Sequence, residues 1–145
     1  MNELVLNKLE VGRADVALEI LPAVPAAISA GAHTVLISEI HSRILRMDPT
    51  ADRAWTLCTA ALAVAGTPGV KNTDTVDFSI INIGTAGADE IITLGACTRG
   101  TLVGSGAVLT SDPVNDAFSS GSGLFRLQFD EVTVGSEAIS VYRLA

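Results

Sequence analysis

Aromatic residues are scarce in this chain: four Phe, one Trp and one Tyr among 145 residues. Sugar- and receptor-binding surfaces rely on exposed rings for stacking. With so few rings, and the one Trp in the first half, a glycan-binding module is disfavoured. Basic residues are scarce too. Nine Lys and Arg stand against sixteen Asp and Glu, a net charge of −7 with a pI near 4.6. Neutralising phosphates requires clustered cations, and only Arg43 and Arg46 lie close together, so nucleic-acid binding is not expected. There are two cysteines and two histidines. Cys58 and Cys97 have no Cys or His neighbour at metal-ligand spacing, so no metal site is expected. Buried free thiols are the simpler reading, and a Cys58–Cys97 disulfide stays open. No run reaches the roughly 20 apolar residues of a membrane helix. The start, MNELVLNKLE, carries acids and no apolar core, so neither a membrane span nor a signal peptide is expected.

Aliphatic residues fill the space left by rings and charges. Apolar residues make up 48% of the chain and charged ones 17%, with a mean hydropathy of +0.45. A chain of this length forms about one domain. Its apolar content exceeds what a soluble monomer needs. Obligate interfaces resemble a core cut in half, so the excess implies burial against other subunits.

The second half reads as a series of short strands. From Val76 to Ala145, runs of four to ten residues are bounded by Gly, Ser, Asp, Asn or Thr. Val76, Phe78 and Ile80 alternate with Asp77 and Ser79. Phe125, Leu127 and Phe129 alternate with Arg126, Gln128 and Asp130. Ile139 and Val141 alternate with Ser140 and Tyr142. One dry face and one wet face predict antiparallel sheets. The expected fold is mainly β: a small antiparallel β-sandwich or barrel, jelly-roll-like, with one short helix and an extended N-terminal arm. The helix is expected at about 55–65, capped by Thr56 or Thr59 and ended by Gly66, Pro68 and Gly69. His33–Met47 fits either strand or helix; its β-branched residues favour strands at Thr34–Glu39 and Ser42–Arg46. Residues 1–30 read as an arm broken by Pro22 and Pro25, and residues 31–145 as the β-rich domain. Within the arm, Val16, Leu18 and Ile20 alternate with Ala17 and Glu19 as in a short strand. Residues 110–123 form the longest loop.

Candidate chemistry is thin. His33 and His41 share one short segment with no nucleophile or orienting acid beside them. The glycines flanking Ser105 fall inside a strand-like run and suggest a bulge or a close backbone approach. The pairs Asp89/Glu90 and Asp130/Glu131 point to opposite faces of a strand, as hairpin-tip or edge charges. Asp112, Asn115 and Asp116 offer oxygens to calcium but lack the Gly and distal Glu of an EF-hand loop. The GTAG stretch, residues 84–87, joins two strands and reads as a hairpin turn. No catalytic residue, cofactor or metal is expected, and the chain is not expected to be an enzyme.

Several stretches carry a resemblance. They are SRILRMDPTADRAWTLCTAALAVAG, VDFSIINIGTAGADEIITLGACTRGTLVGSGAVL and LFRLQFDEVTVGSEAISVYRLA, which together cover roughly residues 42–145. They resemble small virion proteins of tailed bacteriophages, particularly capsid decoration (cement) proteins and head-associated fibre proteins. The resemblance implies a β-rich module on the capsid exterior that binds and stabilises a shell of major capsid protein, often as a homotrimer. It carries no catalytic residues. Under this reading Leu4, Val5, Leu6, Val16, Leu18 and Ile20 anchor the arm to a neighbour. The alternatives are a head fibre, neck or tail component, or a glycan- or receptor-binding module.

Overall fold

The computed structural model describes residues 26–27, 31–83, 90–109 and 121–145. Ten strands and two short helices follow one another along the chain. They are β1 (Ala26–Ala27), β2 (His33–Val35), α1 (Ile37–His41), β3 (Ile44–Met47), β4 (Arg53–Leu57) and α2 (Ala60–Ala65), then β5 (Thr75–Asn82), β6 (Ile92–Gly95), β7 (Gly100–Val103), β8 (Ala107–Val108), β9 (Ser122–Glu131) and β10 (Ala138–Arg143). The strands form two sheets. One has six strands in the order β1-β3-β5-β9-β10-β7, the other four in the order β2-β4-β6-β8. The protein is thus mainly β and sandwich-like, with no closed barrel.

The chain changes sheet at every step from β1 to β9. Odd-numbered strands enter the larger sheet and even-numbered ones the smaller. From β1 to β6, successive visits to one sheet run in the same direction, so β1–β3, β3–β5, β2–β4 and β4–β6 pair in parallel. The pair β7–β10 is parallel as well. Only β5–β9, β9–β10 and β6–β8 are antiparallel. The expected antiparallel arrangement is corrected to a mixed one, and the reason is this alternation: only β9 and β10 are joined as a hairpin within one sheet.

The core lies between the sheets as a single cluster. The larger sheet supplies Leu45, Met47, Phe78, Ile80, Phe125, Leu127, Phe129, Ile139 and Val141. The smaller supplies Val35, Trp55, Leu57, Ile92, Leu94 and Val108. Phe78 and Phe125 face each other across β5 and β9, with ring centroids 5.5 Å apart and planes inclined by 20°. Strict alternation places these residues inward, because successive side chains on a strand point to opposite faces.

Two expected elements are redrawn. Trp55 belongs to β4, not to a helix, and α2 begins only at Ala60. Trp55 and Leu57 alternate inward, whereas Ala60 and Ala63 form a helical stripe. The Thr59 hydroxyl accepts from the Leu62 amide at 3.3 Å and caps α2 as expected. Strand then gives way to helix within His33–Met47: β2 ends at Val35, α1 follows, and Arg43 at φ 65° turns the chain into β3. Glu39 fixes the start of α1 by accepting from the Leu36 amide at 2.7 Å. Gly106 marks a close backbone approach, since a Cβ there would overlap the Leu94 carbonyl.

Candidate interaction surface

The strand registers place the chain's features at two opposite ends of the sandwich. One end carries α1, α2, the 67–74 loop and the 132–137 turn, and its polar groups are dense with partners. Phe129 and Thr73 or Asp74 exchange backbone bonds of 2.7 and 3.0 Å. The Val132 amide donates to Asn72 Oδ1 at 3.0 Å, and the Gly135 amide to Glu137 Oε2 at 3.0 Å. Arg99 Nη1 donates to the Gly135 carbonyl. The Thr133 amide donates to Glu131 Oε1 at 2.8 Å, and the Thr133 hydroxyl and amide together hold that carboxyl below its usual range. Here, between the 67–70 segment, Asp74–Val76 and Phe129, lies an open groove of about 270 Å³.

The other end carries more of the exposed apolar side chains, beside the polar 48–52 turn, where the Ile91 amide donates to Asp52 Oδ1 at 2.9 Å. Met47 pairs with Asn82, so Ile83 lies beyond the ends of β3 and β5. Ile81 pairs with Ser122, which brings the start of β9 alongside. The Leu144 amide donates to the Leu124 carbonyl at 2.8 Å, and Leu124 donates to Ala145 at 2.9 Å. Tyr142 pairs with Val103, and Asn82 Nδ2 reaches the Val108 carbonyl at 3.1 Å, next to Leu109. Ile83, Val103, Leu109, Leu124 and Leu144 therefore share this end, five of the eight large apolar residues exposed among those described. Leu109 is 53% exposed. Alternation turns Val103 and Leu124 to the outer face of the larger sheet, while Leu109 follows the inward Val108 of the smaller one.

The apolar end rests on a rigid footing. Asn82 is buried and donates to the Glu90 carbonyl at 2.8 Å as well as to Val108, so one amide ties the larger sheet to the smaller. Arg143 Nη1 donates to the Ala107 carbonyl at 3.0 Å, and its guanidinium lies 4.9 Å from the centre of the Phe125 ring. Burial pulls the Arg143 pKa below its ordinary value. Glu90, expected as a hairpin-tip charge, is instead only 5% exposed. Its position in step with Ile92 and Leu94 points it inward, and its Oε2 has no hydrogen-bond partner.

The residues singled out for chemistry serve the fold. His33 Nε2 meets the Glu39 carboxylate at 2.9 and 3.1 Å, edge-on to Trp55, so it is half-buried rather than a surface residue. His41 Nε2 contacts Thr67 Oγ1 at 3.2 Å, and burial together with Arg43 lowers its pKa. Cys58 and Cys97 are both free thiols. Burial pushes both upward in pKa, with Cys58 adding to the rise at Cys97, so both stay protonated at neutral pH. Asp130 accepts from Ser140 Oγ at 2.6 Å and from Gln128 at 2.9 Å inside the sheet. Among the described residues no group of three or more His, Cys, Asp or Glu is placed to hold a metal ion. No helix among them is long and apolar enough to cross a membrane. The proposed anchors Leu4, Val5, Leu6, Val16, Leu18 and Ile20 lie outside the described residues, as do the GTAG stretch, Asp89 and Asp112, Asn115 and Asp116.

Comparison of the chain with family models, curated proteins and solved structures returns no match. The geometry therefore speaks for itself. It joins a well-packed body to one end that carries more of the exposed apolar side chains. These exposed residues escaped the sequence reading because they come from five separate segments. Only their hydropathy, as an excess over the core's needs, left a trace.

Proposed function

We propose that this protein is a structural part of a tailed-phage virion, a capsid decoration protein that binds and stabilises a shell of major capsid protein. The supporting observation is the apolar end: Ile83, Val103, Leu109, Leu124 and Leu144, solvated but carried on a clamped two-sheet body. A rigid platform loses little conformational freedom on docking, so modest apolar contacts are enough when repeated over many shell subunits. The virion setting comes from the resemblance of residues 42–145. The partners in this reading are the shell and other copies of the chain, in a trimer on the capsid exterior.

Imaging of purified particles tests the proposal. Protrusions at local three-fold or two-fold axes of the shell, lost when Leu109 and Leu124 become Ser, are the expected result. Density confined to a neck, tail or fibre would move the protein to that structure instead. Absence from particles altogether would overturn the reading.

A further inference from the structure

Among the described residues the outer strand β7 has one strand neighbour, β10. The Ile139 amide donates to the Arg99 carbonyl at 3.1 Å, so the backbone of residue 99 faces β10. Strand alternation then turns Thr101 and Val103 toward β10, and Gly100 and Leu102 away from it. The Gly100 amide is taken by Cys97 at 3.0 Å. The Leu102 amide and carbonyl are left facing outward, and among the described residues none bonds to that side of β7. The Leu102 side chain packs against the core and is partly exposed. An open edge of this kind is a template for another strand.

We infer that β7 is completed by Val16–Ile20 of a second copy of this chain, so that the larger sheets of neighbouring copies continue into one another. The clause of this inference that concerns copies rests on reading the protein as an assembly part. The segment's sequence has the alternation such a strand needs: Val16, Leu18 and Ile20 are apolar at every second position, with Ala17 and Glu19 between them. Reach excludes the chain's own segment. β1 and β7 stand at opposite edges of the six-stranded sheet, so a strand outside β7 is six spacings from β1, about 29 Å. From Ala26 back to Ile20 is six residues, at most about 21 Å when fully extended. The contact therefore joins two different surfaces, head to tail, and gives a discrete ring if its rotation closes and a chain if it does not.

Sedimentation of the purified full chain, with amide exchange at Leu102, tests this. The expected result is an oligomer whose Leu102 amide is protected. Leu18→Asp with Ile20→Asp should yield monomers with an unchanged circular dichroism spectrum and a Leu102 amide that exchanges as an open one. A wild-type chain that is monomeric at its solubility limit would overturn the inference, as would an oligomer that survives the double substitution. Both readouts are independent of shells. A monomer that still decorates particles therefore refutes the strand exchange and leaves the virion reading intact, whereas an arm-dependent oligomer absent from particles does the reverse.

Discussion

The two ends of the sandwich are built on opposite terms. At the helical end, loop and turn amides find side-chain or backbone acceptors, as Val132 finds Asn72 and Gly135 finds Glu137. At the other end the polar groups that matter are spent inward, by Asn82 and Arg143, on holding the sheets together. The outward side chains there include Ile83, Val103, Leu109, Leu124 and Leu144, beside the polar 48–52 turn. One end is closed by its own hydrogen bonds; the other, among the described residues, is clamped from within and keeps five large apolar side chains exposed. This teaches that exposure alone does not mark a docking site. Leu36, Leu62 and Val134 are exposed on the helical end, against five large apolar residues at the other, where Asn82 and Arg143 bind the two sheets together.

The comparison can be broken by substitutions graded by effect. Phe125→Ala removes the ring stacked on Phe78 and lying under Arg143, and should cost about 3–5 kcal/mol in urea unfolding. Gly106→Ala drives a methyl into the Leu94 carbonyl and should cost about 1–3 kcal/mol, with amide exchange rising first in β6 and β8. Asn82→Ala strips the Glu90 and Val108 carbonyls of their donor, at about 1–3 kcal/mol, and should loosen the clamped end while amides of the 132–137 turn keep their protection. Equal loosening of both ends would show that the ends are not independent. Leu109→Ser should change stability by only about 0.5 kcal/mol or less, since it touches no core, yet reduce binding to shells. The smallest effect is at the helical end. The folded-state pKa of His41 lies below its unfolded value of 6.5, so its neutral form is favoured. Its contribution is full above 6.5 and is lost as pH falls from there through the folded value. His41→Gln should flatten the stability–pH curve in that window and nowhere else.

Much of the larger sheet was legible from alternation. Phe125, Leu127 and Phe129 are inward on β9, and Ile139 and Val141 on β10, as their two-residue period indicates. The smaller sheet was harder to read. WTLCTAALAVA holds a strand and a helix without a break in composition, because Ala suits a helix while Trp55 and Leu57 keep strand period. Parallel pairing was illegible in principle. Met47 lies beside Asn82 through a register to which no local pattern points, whereas a hairpin such as β9–β10 advertises its own turn. Glu90 defeated the rule that carboxylates face water, because its place in step with Ile92 outweighs its charge. The clamped end, assembled from residues spread between positions 83 and 144, existed only once the strands were in register.

The alternation of the chain between sheets also sets the order in which the protein can be made. β9 and β10 are the inner strands that join β5 to β7, and they follow the other described strands along the chain. Until residue 143 has emerged, β7 has no neighbour to bond and β5 lacks one side. The pairings β1–β3–β5 and β2–β4–β6 lie within residues 26–95 and need no later segment. Pairings between distant segments close slowly, so the open side of β5 and the whole of β7 wait for β9 and β10.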